Sequence, residues 1–177
     1  MNRTFSFGLA LAISFFLLVG CASNRPLPTV PSVDLQRYSG RWYEAARLRN
    51  RFQADNEGAI AEYRPLSPST VAVKNTALKP NGETRSITGV AEVVPNSRGA
   101  RLRVKFNGPA GLIPVSDSGN YWIIALDANY HTAMVGTPDR KFLWILSRSR
   151  TADAKTVASD LTLATKLGFP IDRLIGR

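Results

Sequence analysis

Cysteine and histidine are almost absent: the 177 residues include one of each, Cys21 and His131. A single thiol excludes an internal disulfide, a Cys/His metal cluster and dithiol redox chemistry. With one histidine, and no Gly-x-Ser-x-Gly elbow, the usual hydrolase constellations cannot be assembled. The chain therefore reads as a non-enzyme, with no metal and no cofactor expected. Acidic residues are also scarce, 13 against 23 Lys and Arg, for a formal net charge of +10. Such a chain is drawn to anionic surfaces.

One hydrophobic run stands out, Leu9 to Val19, interrupted only by Ser14 and preceded by Arg3. It is short for a bilayer-spanning helix of about 20 residues and reads as a secretory signal. It ends in Leu18-Val19-Gly20-Cys21, which matches the lipobox of bacterial lipoproteins, where small residues admit the signal peptidase and the thiol accepts diacylglycerol. The expected organisation is a signal peptide over 1–20, a lipidated tether over 21–33 beginning at Cys21, and one domain over 34–177. Losing Arg3 with the signal lowers the charge by one, to +9. Membrane headgroups, not nucleic acid, are the expected counter-charge for an exported chain. Pro26, Pro28 and Pro31 make residues 22–33 semi-extended, able to hold a domain about 35 Å from a membrane.

Beyond the tether, short segments rich in β-branched and aromatic residues alternate with Gly, Pro, Asn and Asp clusters. Eight strands are predicted: Trp42 to Arg49, Ala59 to Arg64, Thr70 to Leu78, Thr84 to Val94, Arg101 to Phe106, Tyr121 to Leu126, His131 to Gly136 and Phe142 to Arg148. Arg101-Leu102-Arg103-Val104-Lys105-Phe106 shows the period of two expected of a half-buried strand. A helix from about Asp153 to Leu167 follows, with Asp153 in its first turn and Gly168 after its last. Ile171 to Ile175 is a possible ninth strand. The fold class is all-β: an eight-stranded antiparallel up-and-down barrel, which removes exposed edges, with one C-terminal helix packed outside. Such a barrel has room for one small ligand.

Three segments carry a family resemblance. Gly40-Arg41-Trp42-Tyr43-Glu44 resembles the Gly-x-Trp signature of lipocalins. Tyr121 to Tyr130 resembles the family's second conserved region, and Pro138 to Arg148 its third, ending in arginine. With the lipobox, the chain is most similar to the bacterial lipocalin lipoproteins. That resemblance implies an outer-membrane anchor on the periplasmic face and a fatty acid, such as palmitate, or a phospholipid or lysophospholipid held in the barrel for binding or transport. It also implies that Gly40, Trp42 and Arg148 are structural, Arg148 lying across the Trp42 indole at the closed end.

With Trp42 and Arg148 facing inward, alternation and the family pattern choose the cavity wall. The first strand offers Glu44, Ala46 and Leu48; the second Ala59, Ala61 and Tyr63; the fifth Val104 and Phe106. The sixth offers Tyr121 and Ile123, the seventh Met134 and Gly136, the eighth Phe142, Trp144 and Leu146. All except Glu44, Leu48, Gly136 and Phe142 are candidate lipid-binding residues. Each taken alone is better explained by core packing, and it is the barrel topology that favours a cavity. Glu44, an acid among apolar neighbours, should find a hydrogen bond from Tyr63 or Tyr121. The loops 50–58, 79–83, 107–120 and 137–141 should gather at the open end, and the apolar Gly108 to Val115 could touch acyl chains or fold over the barrel wall. Two other functions stay open: an enzyme acting on a bound lipophilic substrate, discriminated by turnover, and a structural lipoprotein contacting membrane or partners through the basic stripe of Arg98, Arg101, Arg103 and Lys105, discriminated by salt-dependent vesicle binding.

Overall fold

The computed structural model describes residues 26–176. The expected signal segment, Cys21 and residues 22–25 of the expected tether lie outside the described residues. Nine antiparallel strands run in chain order: β1 (Gly40–Leu48), β2 (Gly58–Ser67), β3 (Thr70–Leu78), β4 (Thr84–Val93), β5 (Arg101–Phe106), β6 (Tyr121–Leu126), β7 (Thr132–Gly136), β8 (Leu143–Ser147) and β9 (Leu174–Gly176). Each of β1 to β8 pairs with its sequence neighbours, and β1 pairs with both β2 and β8, closing an eight-stranded barrel. β9 adds to the outer half of β1 through Ala46, Arg47 and Leu48. The expected ninth strand is therefore present but begins later, because Ile171–Arg173 forms a 3-10 turn.

The helix α2 (Ala154–Lys166) starts where the sequence signals it, Asp153 accepting from the Thr156 amide. Its apolar face covers one side of the barrel. Ala164 and Phe169 are buried there with Ala45, Ala46, Leu48, Trp122, Ile124, Met134, Leu143 and Ile145. A second cluster fills the barrel itself, with Trp42, Tyr63, Val71, Val73, Ala91, Val104, Ile123, Ala133, Val135 and Leu146. The outer and inner faces of β1, β6, β7 and β8 are thus both buried, between helix and lumen.

Two features were not anticipated. Residues read as a turn form a one-turn helix, α1 (Leu35–Tyr38), capped by the Asp34 carboxylate accepting from the Gln36 and Arg37 amides. It plugs the barrel floor. The semi-extended segment before it does not stand free as a spacer: Leu27 is buried, the Val30 amide bonds to the Ile123 carbonyl, and that of Val33 to Arg98.

Candidate functional site

The closed end is a finished piece of scaffold. The Arg148 guanidinium lies 3.9 Å from the centroid of the Trp42 ring. It donates to the carbonyls of Arg37, Tyr38, Arg41 and Tyr130, joining α1, β1 and the β6–β7 turn. Trp42 is fully buried and its indole N–H donates to the Tyr38 carbonyl at 2.8 Å. Gly40 is glycine for two reasons: its φ of +94° suits no L side chain, and an added Cβ would sit 3.2 Å from Arg148 Nη1.

Above this floor lies a layer of three tyrosines. The Tyr121 hydroxyl bonds to those of Tyr38 at 2.7 Å and Tyr63 at 3.0 Å. Burial pushes the Tyr63 phenol up to about 12 and raises Tyr38 and Tyr121 well above the usual phenol range. All three stay neutral, serving as mutual donors and acceptors.

Upward from the tyrosines the inner wall changes character. Strand direction alternates, so Val71 and Val73 of β3 lie low while Asn75 and Ala77 lie high, and on β2 Ala59 and Ala61 lie above Tyr63. Low inward residues are buried: Val71, Val73, Ala91, Leu102 and Ala133 are each at most 4% exposed, and Val135, level with Trp144, is buried as well. High inward residues are only half-buried: Ala59, Ala61, Asn75, Ala77, Ile87, Phe106 and Trp144. Inward side chains reached by water in the upper half, above a packed floor, define an open-topped lumen with an apolar wall.

The candidate wall residues fall into two groups. Ala59, Ala61, Tyr63, Val104, Phe106, Tyr121, Ile123, Trp144 and Leu146 face inward, and Phe142 stacks on Trp144 with ring centroids 6.0 Å apart. Ala46 and Met134 do not. Both pack under α2 on the outer face, together with Leu48, while Gly136 faces Phe169 and Ile124.

On β1 the cause is a bulge: Glu44 pairs with Leu146 but Ala46 pairs with Ile145, so one extra residue, Ala45, reverses the alternation that follows. Arg47, opposite Trp144, consequently turns into the barrel. On β7 the opposite phase holds, and Ala133 and Val135 line the lumen in place of Met134 and Gly136.

The bulge places a charged pair inside. Arg47 Nε lies 3.3 Å from Glu44 Oε1, the two side chains being 0% and 1% exposed. The expected tyrosine partners of Glu44 are replaced by Gln53, whose amide donates to both carboxylate oxygens at 3.2 and 3.0 Å. Gln53 also donates to the Glu57 carbonyl, Arg47 Nη2 donates to the Ala54 carbonyl, and Arg85 donates to Glu57 and to the Phe52 carbonyl. The 50–57 loop is thus drawn over the mouth by an interior charge network. Sequence reasoning could not find Arg47, because strict alternation assigns it to the outside.

At the rim, Leu112 is 84% exposed, and Ile113 and Phe52 are each about half exposed. The stretch 108–115 includes a 3-10 turn, Gly108–Leu112, that projects at the mouth instead of folding over the wall. The basic stripe on β5 is partly spent on the fold: Arg103 pairs with Asp117 at 3.1 Å and Glu92 at 3.8 Å, and Arg101 lies 5.2 Å from the Trp122 ring centroid. His131 is exposed at the β6–β7 turn. Among the described residues no group of His, Cys, Asp and Glu is placed to hold a metal.

Comparison with known proteins agrees with this geometry. Residues 33–177 match the family model described as a lipocalin-like domain. The chain is 35% identical over 171 residues to the outer membrane lipoprotein Blc of Citrobacter freundii, covering 94% of this chain and 93% of that one. It is 34% identical over 153 residues to temperature-induced lipocalin-1 of Arabidopsis thaliana, covering 85% and 82%. Among solved structures, insecticyanin from Manduca sexta superposes with a TM-score of 0.61 at 20% identity, over 86% of this chain and 84% of that one.

Proposed function

The chain belongs to the lipocalin family, and from that premise we propose that it carries a single-chain lipid, a fatty acid or a phospholipid with one acyl chain, in the upper lumen of the barrel. The observation that carries the reading is the contrast within one wall. Inward residues are packed toward the floor and half-buried toward the mouth, where the wall includes Ala59, Ala61, Phe106 and Trp144. An acyl chain entering there would leave water at roughly 0.8 kcal/mol per methylene buried.

The relatives' name, outer membrane lipoprotein, supports the same location for this chain, held through a diacylglycerol thioether on Cys21 with the barrel on the periplasmic face. Residues 26–33 hugging the barrel would then keep the domain close to the bilayer. The function is carriage or scavenging, not turnover: the lumen presents phenols kept neutral by burial and two charges, Arg47 and Glu44, paired with each other.

Two measurements test this. Protein purified from membranes and stripped of lipid should bind a fluorescent fatty acid saturably at one site per chain. Absence of saturable binding overturns the carrier assignment. Cys21→Ser should release the protein from the outer-membrane fraction or leave it as uncleaved precursor, and wild type recovered only with the inner membrane would contradict the location.

A further inference from the structure

The open half of the lumen holds polar atoms that the fold leaves without a hydrogen-bond partner among the described residues. Two are on the fully buried Arg47 side chain, Nη1 and Nε, of which Nε faces the Glu44 carboxylate at 3.3 Å as an ion pair; another is Oδ1 of Asn75. Arg47 faces inward opposite Trp144, and Asn75 faces inward between Ala61 and Ile87. The fourth such atom, Nε of Arg103, sits on the outer face of β5 and has no part in the lumen. An unmade hydrogen bond at a buried group costs about 1–3 kcal/mol, and native proteins retain few of them. Other atoms of this network do find partners: Arg47 Nη2 reaches the Ala54 carbonyl, and both Glu44 oxygens accept from Gln53. A donor and an acceptor left facing the same apolar lumen are suited to a group that enters from outside.

We infer that Arg47 and Asn75 form the polar-head subsite of the lumen, taking an oxygen-bearing head on a single alkyl chain. Nη1 of Arg47 donates to a carboxyl or phosphate oxygen, and Oδ1 of Asn75 accepts from a hydroxyl or ammonium hydrogen of the ligand. Glu44, 3.3 Å from the guanidinium, already balances its charge. The subsite therefore selects heads that bring no large net charge of their own: a carboxylic acid that keeps its proton in this environment, or a phosphate balanced by its own ammonium. This inference rests on the lipid-carrier reading and specifies which end of the ligand is recognised, and by what.

Delipidated protein from membranes, held in amphipol, would be titrated with dodecanoic acid, dodecylphosphocholine and the headless dodecane. Two variants separate the parts. Asn75→Leu removes the acceptor while leaving the Arg47–Glu44 pair intact; Glu44→Gln with Arg47→Met removes the donor without stranding a buried charge. Circular dichroism establishes that each variant folds. The expected result is that both bind the acid or the phosphocholine about tenfold more weakly, the scale of one lost hydrogen bond, with dodecane affinity unchanged. Whichever head loses more is the head the subsite reads. Equal losses for all three ligands, or no loss in either variant, overturn the subsite while the carrier reading stands. A wild-type protein that binds none of the three overturns both.

Discussion

The two ends of the barrel use the same chemistry to opposite ends. At the floor, one guanidinium, Arg148, is consumed by four carbonyls and an indole face, and three tyrosine hydroxyls satisfy one another. Toward the mouth, a second guanidinium, Arg47, is buried more deeply than Arg148 yet keeps N–H groups without a hydrogen-bond partner among the described residues, and Trp144 beside it is only half covered. Saturated polar groups fix a shape. Unsaturated ones in an open lumen leave binding capacity, and the comparison teaches where this barrel is scaffold and where it is receptor.

The largest effect should come from breaking the floor. Arg148→Ala strands several carbonyls and loses the stacking on Trp42, and should lower stability by about 2–4 kcal/mol in urea unfolding. Ligand preference should not change. A shifted preference at unchanged stability would move Arg148 from scaffold to receptor.

A pair of substitutions sharpens the contrast between packed and open wall. Ala46, 1% exposed beneath α2, has no room, so Ala46→Trp should cost about 1–3 kcal/mol through overpacking. Ala61→Trp adds the same volume to the lumen and should cost less than about 1 kcal/mol while weakening long-chain binding at least about tenfold. Thermal melts and fatty-acid titrations of the two variants read both quantities. Equal destabilisation by the two would mean that the upper lumen is packed solid.

Next comes the tyrosine layer between the two regions. Burial raises the Tyr63 phenol to about 12 from its ordinary 10. A raised folded value means that this contribution to stability is complete below pH 10 and is lost as pH rises through 12. Stability should therefore decline steeply between pH 10 and 12, and Tyr63→Phe should flatten part of that decline. It should also cost about 1 kcal/mol at neutral pH for the lost hydroxyl bond. An unchanged alkaline profile would show that Tyr63 is not one of the groups responsible.

The smallest effect lies outside the lumen. Asp160 on α2 is raised to about 6, first by burial and then by Asp127. Its charge is therefore unfavourable in the folded state at neutral pH, the favourable contribution being present below its ordinary 3.8 and lost as pH rises through 6. Asp160→Asn should stabilise the protein by less than about 1 kcal/mol at pH 7, since the group keeps contact with solvent, and by nothing at pH 3. A two-pH urea titration decides it.

Much of this was legible in the amino-acid order. Strands β3 and β5 begin and end at the residues their alternation marks, and Asp153 and Gly168 bracket α2 as caps should. Gly40, Trp42 and Arg148 pointed to the closed end through the resemblance of their segments to the lipocalin motifs, and the structure places them there. Local chemistry repeated along a strand, or concentrated at a cap, survives in sequence.

What the tertiary structure alone decided is which face several residues take. Nothing in Glu44-Ala45-Ala46-Arg47 marks Ala45 as the extra residue, because a bulge changes the count by one without demanding a special side chain. Yet it sends Ala46 and Leu48 under the helix and turns Arg47 inward, creating the interior charge pair. On β7 all five residues are buried, helix on one side and lumen on the other, so the period of two that would have separated Met134 from Val135 does not exist to be read. Alternation reports a strand's faces only when one of them meets water.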